Sequence, residues 1–170
     1  MAQDKEATKD CIFTALTGLM EQKEYKYITV TDIARKAGVS RMTYYRTYTS
    51  KEDILVQHFR KISQQLISEA KEDIRQALDS FFSYFQKYDN LTRVLTEADL
   101  MNVVVECFSG FTDHLYNALH PGSLNTTKAR YAVRYESGGL FSILIGWLSG
   151  SAEESPQEMS EIALNILRGE

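Results

Sequence analysis

The chain has few of the residues that interrupt helices or cross-link a fold. Its 170 residues include two prolines, nine glycines and two cysteines. So few prolines and glycines argue against a loop-rich fold and favour long helices. Cys11 and Cys107 lie far apart and belong to no paired motif, which argues against a disulfide framework and a zinc cluster. We therefore expect a cytoplasmic protein without a bound metal or cofactor.

Long apolar runs and a leader segment are also missing. The first residues, Met-Ala-Gln-Asp-Lys-Glu, are charged and precede no apolar stretch, so we expect no signal peptide. The longest uncharged segment, 137–152, has 16 residues and contains four glycines. A membrane-spanning helix needs about 20 mainly apolar residues, so we expect no contact with a membrane. Apolar residues make up 44% of the chain, which is enough for a globular core.

Charge is distributed unevenly along the chain, although the net charge is only −4. Residues 1–60 contain ten basic and eight acidic residues, a net charge of +2. Residues 61–170 contain nine basic and fifteen acidic residues, a net charge of −6. Between Thr29 and Lys51 the basic residues outnumber the acidic ones five to one. A local basic patch on an acidic body is compatible with binding to an anionic polymer.

Hydrophobic periodicity is helical nearly throughout and predicts an all-α fold of about nine helices without a strand. Capping patterns start three of these helices, at Thr29-Val-Thr-Asp32, Ser50-Lys-Glu-Asp53 and Ser155-Pro-Gln-Glu158. Gly38 is a suitable left-handed stop for the second helix. The predicted helices lie at about 8–22, 29–37, 40–47, 50–70, 73–88, 91–95, 97–119, 127–149 and 156–168.

Segment 30–51 has the pattern of a helix-turn-helix unit. Two short helices meet at Ala37-Gly38-Val39-Ser40, where Gly38 permits the positive φ of a sharp turn. Ala34 is small at the point where the two helices would cross. A helical hairpin with a solvated basic face would give the same pattern, so the pattern alone leaves both interpretations open. We expect residues 1–50 to form a DNA-binding head, which the long fourth helix joins to a body of residues 51–170.

The outward face of the second helix in this unit has suitable chemistry for DNA. Tyr44 and Tyr48 are four residues apart and are predicted to face inward, which turns the side chains between them outward. Arginine can donate two hydrogen bonds to guanine, and methionine or threonine methyl groups can contact a thymine methyl group. Flanking hydroxyl and ammonium groups suit phosphate oxygens. The predicted DNA contacts are Thr31, Arg41, Met42, Thr43, Tyr45, Arg46 and Lys51.

The segment from Ile28 to Leu55, ITVTDIARKAGVSRMTYYRTYTSKEDIL, resembles the DNA-binding domain of TetR-family transcriptional regulators without a gap. The resemblance implies an all-helical homodimer that binds an inverted-repeat operator in double-stranded DNA. It also implies that residues 41–43 contact bases and that the other predicted residues contact phosphates. Thr47 replaces a histidine that is frequent in the family, and Tyr48 replaces its usual phenylalanine. The first change puts one phosphate contact in doubt.

The C-terminal part resembles one subgroup of that family. Segments 135–148 and 155–159 are similar to the C-terminal domain of regulators of the dihydroxyacetone-kinase type. The predicted helix over 127–149 is apolar nearly all round in its second half, so it must be covered on two sides. With the last helix it would form a four-helix interface across a two-fold axis, whereas a buried central helix of a monomer is the alternative. The predicted interface residues are Tyr135, Gly139, Ile143, Trp147, Leu148, Ile162 and Ile166.

An aromatic-rich set in the body suits either an apolar effector pocket or ordinary core packing. An effector bound there would be small and apolar or amphipathic. His114 and Cys107 share a helical face, but other ligands at metal-binding spacing are missing. The candidate pocket residues are Phe82, Phe85, Tyr88, Met101, Phe108, Phe111 and His114.

These features favour a dimeric transcriptional regulator that acts as a repressor and leaves its operator when an effector binds. The alternative is a helix-turn-helix protein that acts through a protein partner, as a coactivator does, without a small-molecule ligand of its own. A glycine-rich phosphate loop, a nucleophile motif and paired catalytic carboxylates are all missing from the sequence. We therefore expect no enzymatic activity.

Overall fold

The computed structural model describes residues 2–70, 73–122, 126–150 and 153–169, with side chains from residue 5 onwards. In these ranges the chain forms ten α-helices and one 3₁₀ turn and contains no strand, which confirms the predicted all-α class. The helices are α1 (Ala2–Met20), α2 (Val30–Ala37), α3 (Arg41–Thr47), α4 (Lys51–Ala70), α5 (Ile74–Lys87), α6 (Asp89–Glu97), α7 (Met101–Cys107), α8 (Ser109–Leu119), α9 (Thr127–Ser149) and α10 (Pro156–Arg168), and the 3₁₀ turn covers Tyr25–Tyr27.

Local sequence signals explain where several of these helices begin and end. At α2 the Thr29 hydroxyl accepts a hydrogen bond from the amide of Asp32, and the Asp32 carboxylate accepts one from the amide of Thr29. Ser155 and Glu158 form the same reciprocal capping box at α10. Gly38 ends α2 with a φ of 69°, a left-handed conformation that glycine adopts without strain. The predicted starts of α2 and α10 and the stop at Gly38 are confirmed.

The predicted capping box at the start of α4 is only half formed. The amide of Asp53 donates to the Ser50 hydroxyl at 3.1 Å, as expected. The Asp53 carboxylate, however, accepts from the amide and the hydroxyl of Thr49, one residue before the predicted partner. The carboxylate still satisfies a backbone amide next to the helix N-terminus, and α4 still begins at Lys51.

The single helix predicted over 97–119 is wrong. α6 ends at Glu97, and the chain then turns at Asp99, whose φ is 57°. A second break at Phe108 separates α7 from α8, so ten helices replace the expected nine. Aspartate tolerates a left-handed backbone better than most non-glycine residues, which permits the turn at Asp99. Apolar periodicity continues across both breaks and hides them in the sequence.

Two other helices are longer than predicted. α1 begins at Ala2 instead of near residue 8, because its first turns are polar and give no apolar signal. α6 runs over nine residues from Asp89, where the sequence predicts one short turn over 91–95. Asp89 lies in its first turn, where a carboxylate is favoured by the helix dipole.

The head consists of α1, α2 and α3 packed on the first turns of α4. Its core is continuous with that of the body, because buried side chains of α4 belong to one uninterrupted apolar cluster. α4 therefore joins head and body without a flexible linker. The buried residues of the head are Ile12, Ala15, Leu16, Leu19, Met20, Ile28, Ile33, Ala34, Tyr44, Tyr48, Ile54 and Leu55.

The body is organised around α5, which contacts α4, α8, α9 and α10. α10 packs mainly on α5, and an ion pair between Arg75 and Glu161 joins these two helices. At the end of α9, Trp147 packs on Phe82, and its indole nitrogen donates to the carbonyl of Glu154 at 3.1 Å. None of the helices in the described ranges combines the length and the apolar character needed to cross a membrane.

Six phenylalanines form an aromatic cluster at the centre of the body. Phe81 lies in the middle, with its ring centroid 5.0–5.7 Å from the centroids of the other five. All six side chains are at most 2% exposed. Edge-to-face and offset contacts at these distances add to the stabilisation from burial. The members of the aromatic cluster are Phe81, Phe82, Phe85, Phe108, Phe111 and Phe141.

His58 of α4 connects the head to the body at a half-buried position. Its ring stacks on Phe13 of α1 with centroids 3.4 Å apart, and its Nε2 atom lies 2.9 Å from the hydroxyl of Tyr84 on α5. Burial, and secondarily the nearby charge of Lys61, lowers the pKa of His58 from 6.5 to about 4. The imidazole is therefore neutral at physiological pH.

We expect His58 to make the fold sensitive to mild acid. Its pKa is lower in the folded protein than in the unfolded chain, so the unfolded chain binds the proton first as the pH falls. The stabilisation from neutral His58 is complete above pH 6.5 and is lost between pH 6.5 and about 4. His58→Phe keeps an aromatic ring on Phe13 and should flatten the stability curve by up to about 1.4 kcal/mol per pH unit in that range.

Urea unfolding of both proteins at several pH values tests this expectation. The free energy of unfolding of the parent should fall relative to that of His58→Phe as the pH falls from 6.5 towards 4. Curves that stay parallel over the whole range would contradict the role assigned to His58.

Candidate nucleic-acid interface

The helix-turn-helix unit is built on a small buried core. Gly38 turns the chain sharply, and the amide of Val39 donates to the carbonyl of Ala34 at 3.0 Å. Tyr44 and Tyr48 are both buried, as their spacing predicts, and they pack with Ile33 in the core of the head. This packing fixes the crossing of α2 and α3 and decides which face of α3 is exposed.

The exposed face of α3 carries most of the predicted reading residues. Arg41, Met42, Tyr45 and Arg46 are exposed, with Met42 at 64% and Tyr45 at 56%. Neither arginine forms an ion pair or a side-chain hydrogen bond within the described part of the chain. Their guanidinium groups are therefore free to bind an external acceptor. An α-helix with such a face fits the major groove of B-DNA.

The remaining predicted contact residues differ in their exposure and in the hydrogen bonds that they already form within the protein. Thr31 is exposed in the first turn of α2. Thr43 is half-buried, and its hydroxyl lies 2.9 Å from that of Ser40, the residue that caps α3. Thr47, which replaces the family's frequent histidine, donates its hydroxyl to the carbonyl of Thr43 at 2.9 Å. The Thr47 hydroxyl is thus already bonded within α3.

Lys51 has partners that the sequence does not predict. Its ammonium group donates to the carbonyls of Tyr25 at 2.9 Å and of Ile28 at 2.8 Å. The same nitrogen lies 4.3 Å from the centroid of the Tyr25 ring. The partners are 23 and 26 residues away in the sequence, so no local pattern could have indicated them.

Three other cations of the helix-turn-helix region are also bonded within the protein. Lys36 donates to the carbonyl of Gly18 at 2.7 Å. Lys23 and Arg35 both pair with Asp32, at 2.7 and 3.2 Å. The bond from Lys23, with help from Thr29, holds the pKa of Asp32 well below its usual range. The basic patch counted along the sequence is therefore divided between a few free side chains and several that hold the fold together.

A second feature of the chain is an exposed groove between α9 and α10. This α9–α10 groove has a volume of about 750 Å³, and its lining includes Tyr135, Gly138, Gly139, Ile143, Ala163 and Ile166. Tyr135 is 84% exposed and Ile166 is 57% exposed. The groove thus contains four of the seven predicted interface residues, and Ile162 is exposed one helical turn before Ile166.

The other two predicted interface residues do not lie on this face. Trp147 is buried against Phe82 inside the protomer, so only 6% of it is exposed to a second subunit. Leu148 is half-buried and packs against the main core. Helical geometry turns both side chains away from Tyr135 and towards the body.

The predicted effector-pocket residues are mostly packed against one another. Tyr88 is 40% exposed and lies outside the aromatic cluster, beside Tyr84. Met101 is half-buried against the core, and His114 has an enclosed Nε2 atom without a hydrogen-bond partner among the described residues. The other four candidates belong to the fully buried aromatic cluster, namely Phe82, Phe85, Phe108 and Phe111.

A sharp turn between two short helices that share a buried core, and an exposed second helix with free arginines, define a helix-turn-helix DNA-binding protein. Two family models match the chain: bacterial regulatory proteins of the tetR family over residues 12–57, and a transcriptional regulator C-terminal region over residues 72–169. The second match alone covers more than half of the chain. The chain belongs to the TetR family of DNA-binding transcriptional regulators, which are not enzymes.

Several known proteins resemble the chain. The HTH-type transcriptional regulator EthR of Mycolicibacterium smegmatis is 29% identical over 106 residues, which is 56% of this chain and 48% of EthR. The chain therefore matches about half the length of this curated relative. The dihydroxyacetone kinase operon activator DhaS has a TM-score of 0.69 at 18% identity, covering 95% of this chain and 94% of DhaS.

A structure of FadR from Bacillus subtilis in complex with stearoyl-CoA has a TM-score of 0.66 at 23% identity, covering 92% of this chain and 96% of FadR. At such identities the likeness to DhaS and FadR is one of fold. The expected similarity to regulators of the dihydroxyacetone-kinase type is confirmed at that level.

Loss of the hydroxyl group should affect the stability of the protein differently at two tyrosines of the head. The Tyr44 hydroxyl is buried without a hydrogen-bond partner in the described part of the chain, and burial raises its pKa to about 12. Tyr44→Phe should leave the stability unchanged or raise it by up to about 1 kcal/mol. The Tyr25 hydroxyl donates to Glu52 at 2.8 Å, so Tyr25→Phe should destabilise by about 1 kcal/mol.

Chemical denaturation of the two variants beside the parent protein checks this contrast. An equal loss of stability in both variants would mean that Tyr44 does have a bonding partner.

Proposed function

We propose that the chain is a cytoplasmic homodimeric repressor. Two heads, each of residues 1–50, bind the halves of an inverted-repeat operator, while the bodies, each of residues 51–170, dimerise and bind an effector. The observation that carries the proposal is the combination of a free reading face on α3 with an exposed apolar groove on the body. Binding in successive major grooves requires the two recognition helices to be about 34–36 Å apart.

The glycines of α9 support a second copy as the occupant of the α9–α10 groove. A Cβ atom added at Gly138, Gly139 or Gly146 would meet no atom within 4 Å, so packing within the protomer does not require glycine there. Each glycine destabilises a helix interior by about 1 kcal/mol relative to alanine. Close approach of a partner helix gives these glycines a role. A two-fold contact presents the same face on both subunits, which a groove beside exposed isoleucines allows.

Dimerisation is tested by adding a charge to the exposed apolar face. Ile166→Glu is expected to give monomers that lose operator binding, because a carboxylate would be desolvated in the interface without a partner. Since Ile166 is 57% exposed in the protomer, the variant should still fold. Gln157 is exposed on the opposite side of α10, nine residues earlier, so Gln157→Glu is a matched control.

Analytical ultracentrifugation of the two variants and the parent decides the outcome. A dimeric Ile166→Glu protein, or a monomeric parent, would overturn the proposed interface.

Operator recognition is tested by selection from a random duplex library at about 0.15 M salt. Nonspecific binding is weak under these conditions, with Kd of roughly 10⁻⁴–10⁻⁶ M, so specific contacts decide which sequences survive. An enriched inverted repeat is the expected result. Enrichment of a single half-site, or no enrichment from a folded dimer, would refute binding as a two-fold dimer.

We further propose that the effector is amphipathic with an aliphatic chain. The support is the common fold with FadR, whose structure was determined with stearoyl-CoA. Stearoyl-CoA is therefore the first compound to test for release of the selected operator, with free coenzyme A as the control. Release by stearoyl-CoA alone is expected, and an unchanged complex would count against this class of effector.

The close packing of the aromatic cluster favours a second candidate function. Six enclosed rings in mutual contact occupy the region where the sequence suggested an effector pocket. A protein partner could then replace the effector, as in a coactivator. A stable hetero-complex that alters operator binding, with no response to stearoyl-CoA, would favour this candidate.

A further inference from the structure

The cations of the head fall into two groups according to what their side chains already bind. We propose that Lys36 and Lys51 are positioning residues that hold the helix-turn-helix unit in place, and that neither binds a DNA phosphate. The direct charge contacts of this unit with the operator then come from Arg41 and Arg46. This inference rests on the proposed operator binding, because it concerns how that binding depends on charge.

Lys51 joins the start of α4 to the connector between α1 and α2. Its ammonium donates to the carbonyls of Tyr25 and Ile28 and lies against the Tyr25 ring. The next residue, Glu52, accepts a hydrogen bond from the hydroxyl of the same Tyr25. Two adjacent residues of α4 thus hold the backbone, the ring and the hydroxyl of one tyrosine.

A lysine at this position needs such partners. Lys51 is the first residue of α4, where the helix dipole disfavours a positive charge. Two carbonyl oxygens and an aromatic face compensate for that position and leave the ammonium group half-buried. A phosphate contact would require the ammonium group to leave these acceptors. Binding within the protein and binding to a phosphate therefore compete.

Lys36 holds the other end of α2. It lies in the last turn of that helix, and its ammonium group donates to the carbonyl of Gly18 in α1 at 2.7 Å. A Cβ atom at Gly18 would lie 3.0 Å from this nitrogen, so the absence of a side chain leaves the carbonyl accessible. The ammonium group of Lys36 is thus bonded to α1, although the residue is exposed.

The two lysines together fix α2 at both ends. Lys51 holds the connector that leads into the Thr29 cap, and Lys36 holds the last turn. α3 follows after a turn of only three residues, so its direction depends on that of α2. Loss of either lysine should therefore misplace the reading face without removing a phosphate contact.

Salt dependence separates a positioning residue from a phosphate contact. Each phosphate contact lowers the slope of log K against log salt concentration by about 0.9. Arg46, the arginine assigned to phosphates, gives two contacts in a dimer, hence a slope of about −1.8 from this unit. If both lysines also bound phosphates, six contacts would give a slope of about −5.4 from this unit.

The experiment measures operator affinity against salt concentration for the parent dimer and for Lys51→Met, Lys36→Met and Arg46→Met. Each lysine variant should bind about tenfold more weakly at every salt concentration, with the parent slope. Arg46→Met, the matched control, should make the slope less steep by about 1.8, because a dimer loses two contacts. A lysine variant whose slope changes as in Arg46→Met would overturn the proposal.

Two further measurements keep the test decisive. Thermal unfolding identifies a lysine variant that does not fold, and in that case the folded variant of the other lysine decides, since the parent slope supports the proposal and a slope less steep by about 1.8 contradicts it. Failure of the proposed function is a separate outcome, because the parent would then select no inverted repeat. Unchanged affinity and unchanged slope in both folded lysine variants would also overturn the proposal. Such a result would mean that operator binding does not depend on the hold of these lysines on α2.

Discussion

Helix α4 constrains both halves of the molecule, because its N-terminal turns belong to the head and the rest of the helix belongs to the body. Lys51 and Glu52 hold the connector before α2, while His58, two turns further on, stacks on Phe13 and reaches Tyr84 of the body. Between these points Ile54 and Leu55 are buried in one continuous core. In the proposed regulator, a shift of α4 against the body would therefore move α3 with it.

Charge in the head has two separate uses. An arginine without an internal partner, such as Arg41, keeps its donors free for an external acceptor, whereas a lysine bonded to backbone carbonyls stabilises the arrangement of helices. Both groups contribute equally to a net charge counted from the sequence. The two groups can be told apart only in the structure, because the carbonyl groups that bind Lys36 and Lys51 lie on another helix or on a connector.

The body presents apolar surface in two different ways. The aromatic cluster is closed, with ring contacts that satisfy each phenylalanine inside the protomer. The α9–α10 groove is open, and the apolar side chains of Ile162 and Ile166 beside it are exposed to solvent. Contiguous exposed apolar surface of this kind is typical of interaction sites. In the proposed dimer, a partner subunit would cover the open surface without rearranging the protomer. An effector in the body would have to separate rings that are already in contact, so its binding would be coupled to movement of the helices that carry them.

The sequence by itself determined the helical class, the capping boxes at Thr29 and Ser155, the turn at Gly38 and the outward face of α3. These features depend on residues within one or two helical turns, where spacing and backbone preference act directly. The breaks at Asp99 and Phe108 escaped prediction because apolar periodicity continues across them. Only the tertiary structure decided that Trp147 is a core residue and that Lys51 binds carbonyls, because both depend on partners brought close by helix packing and not by spacing along the chain.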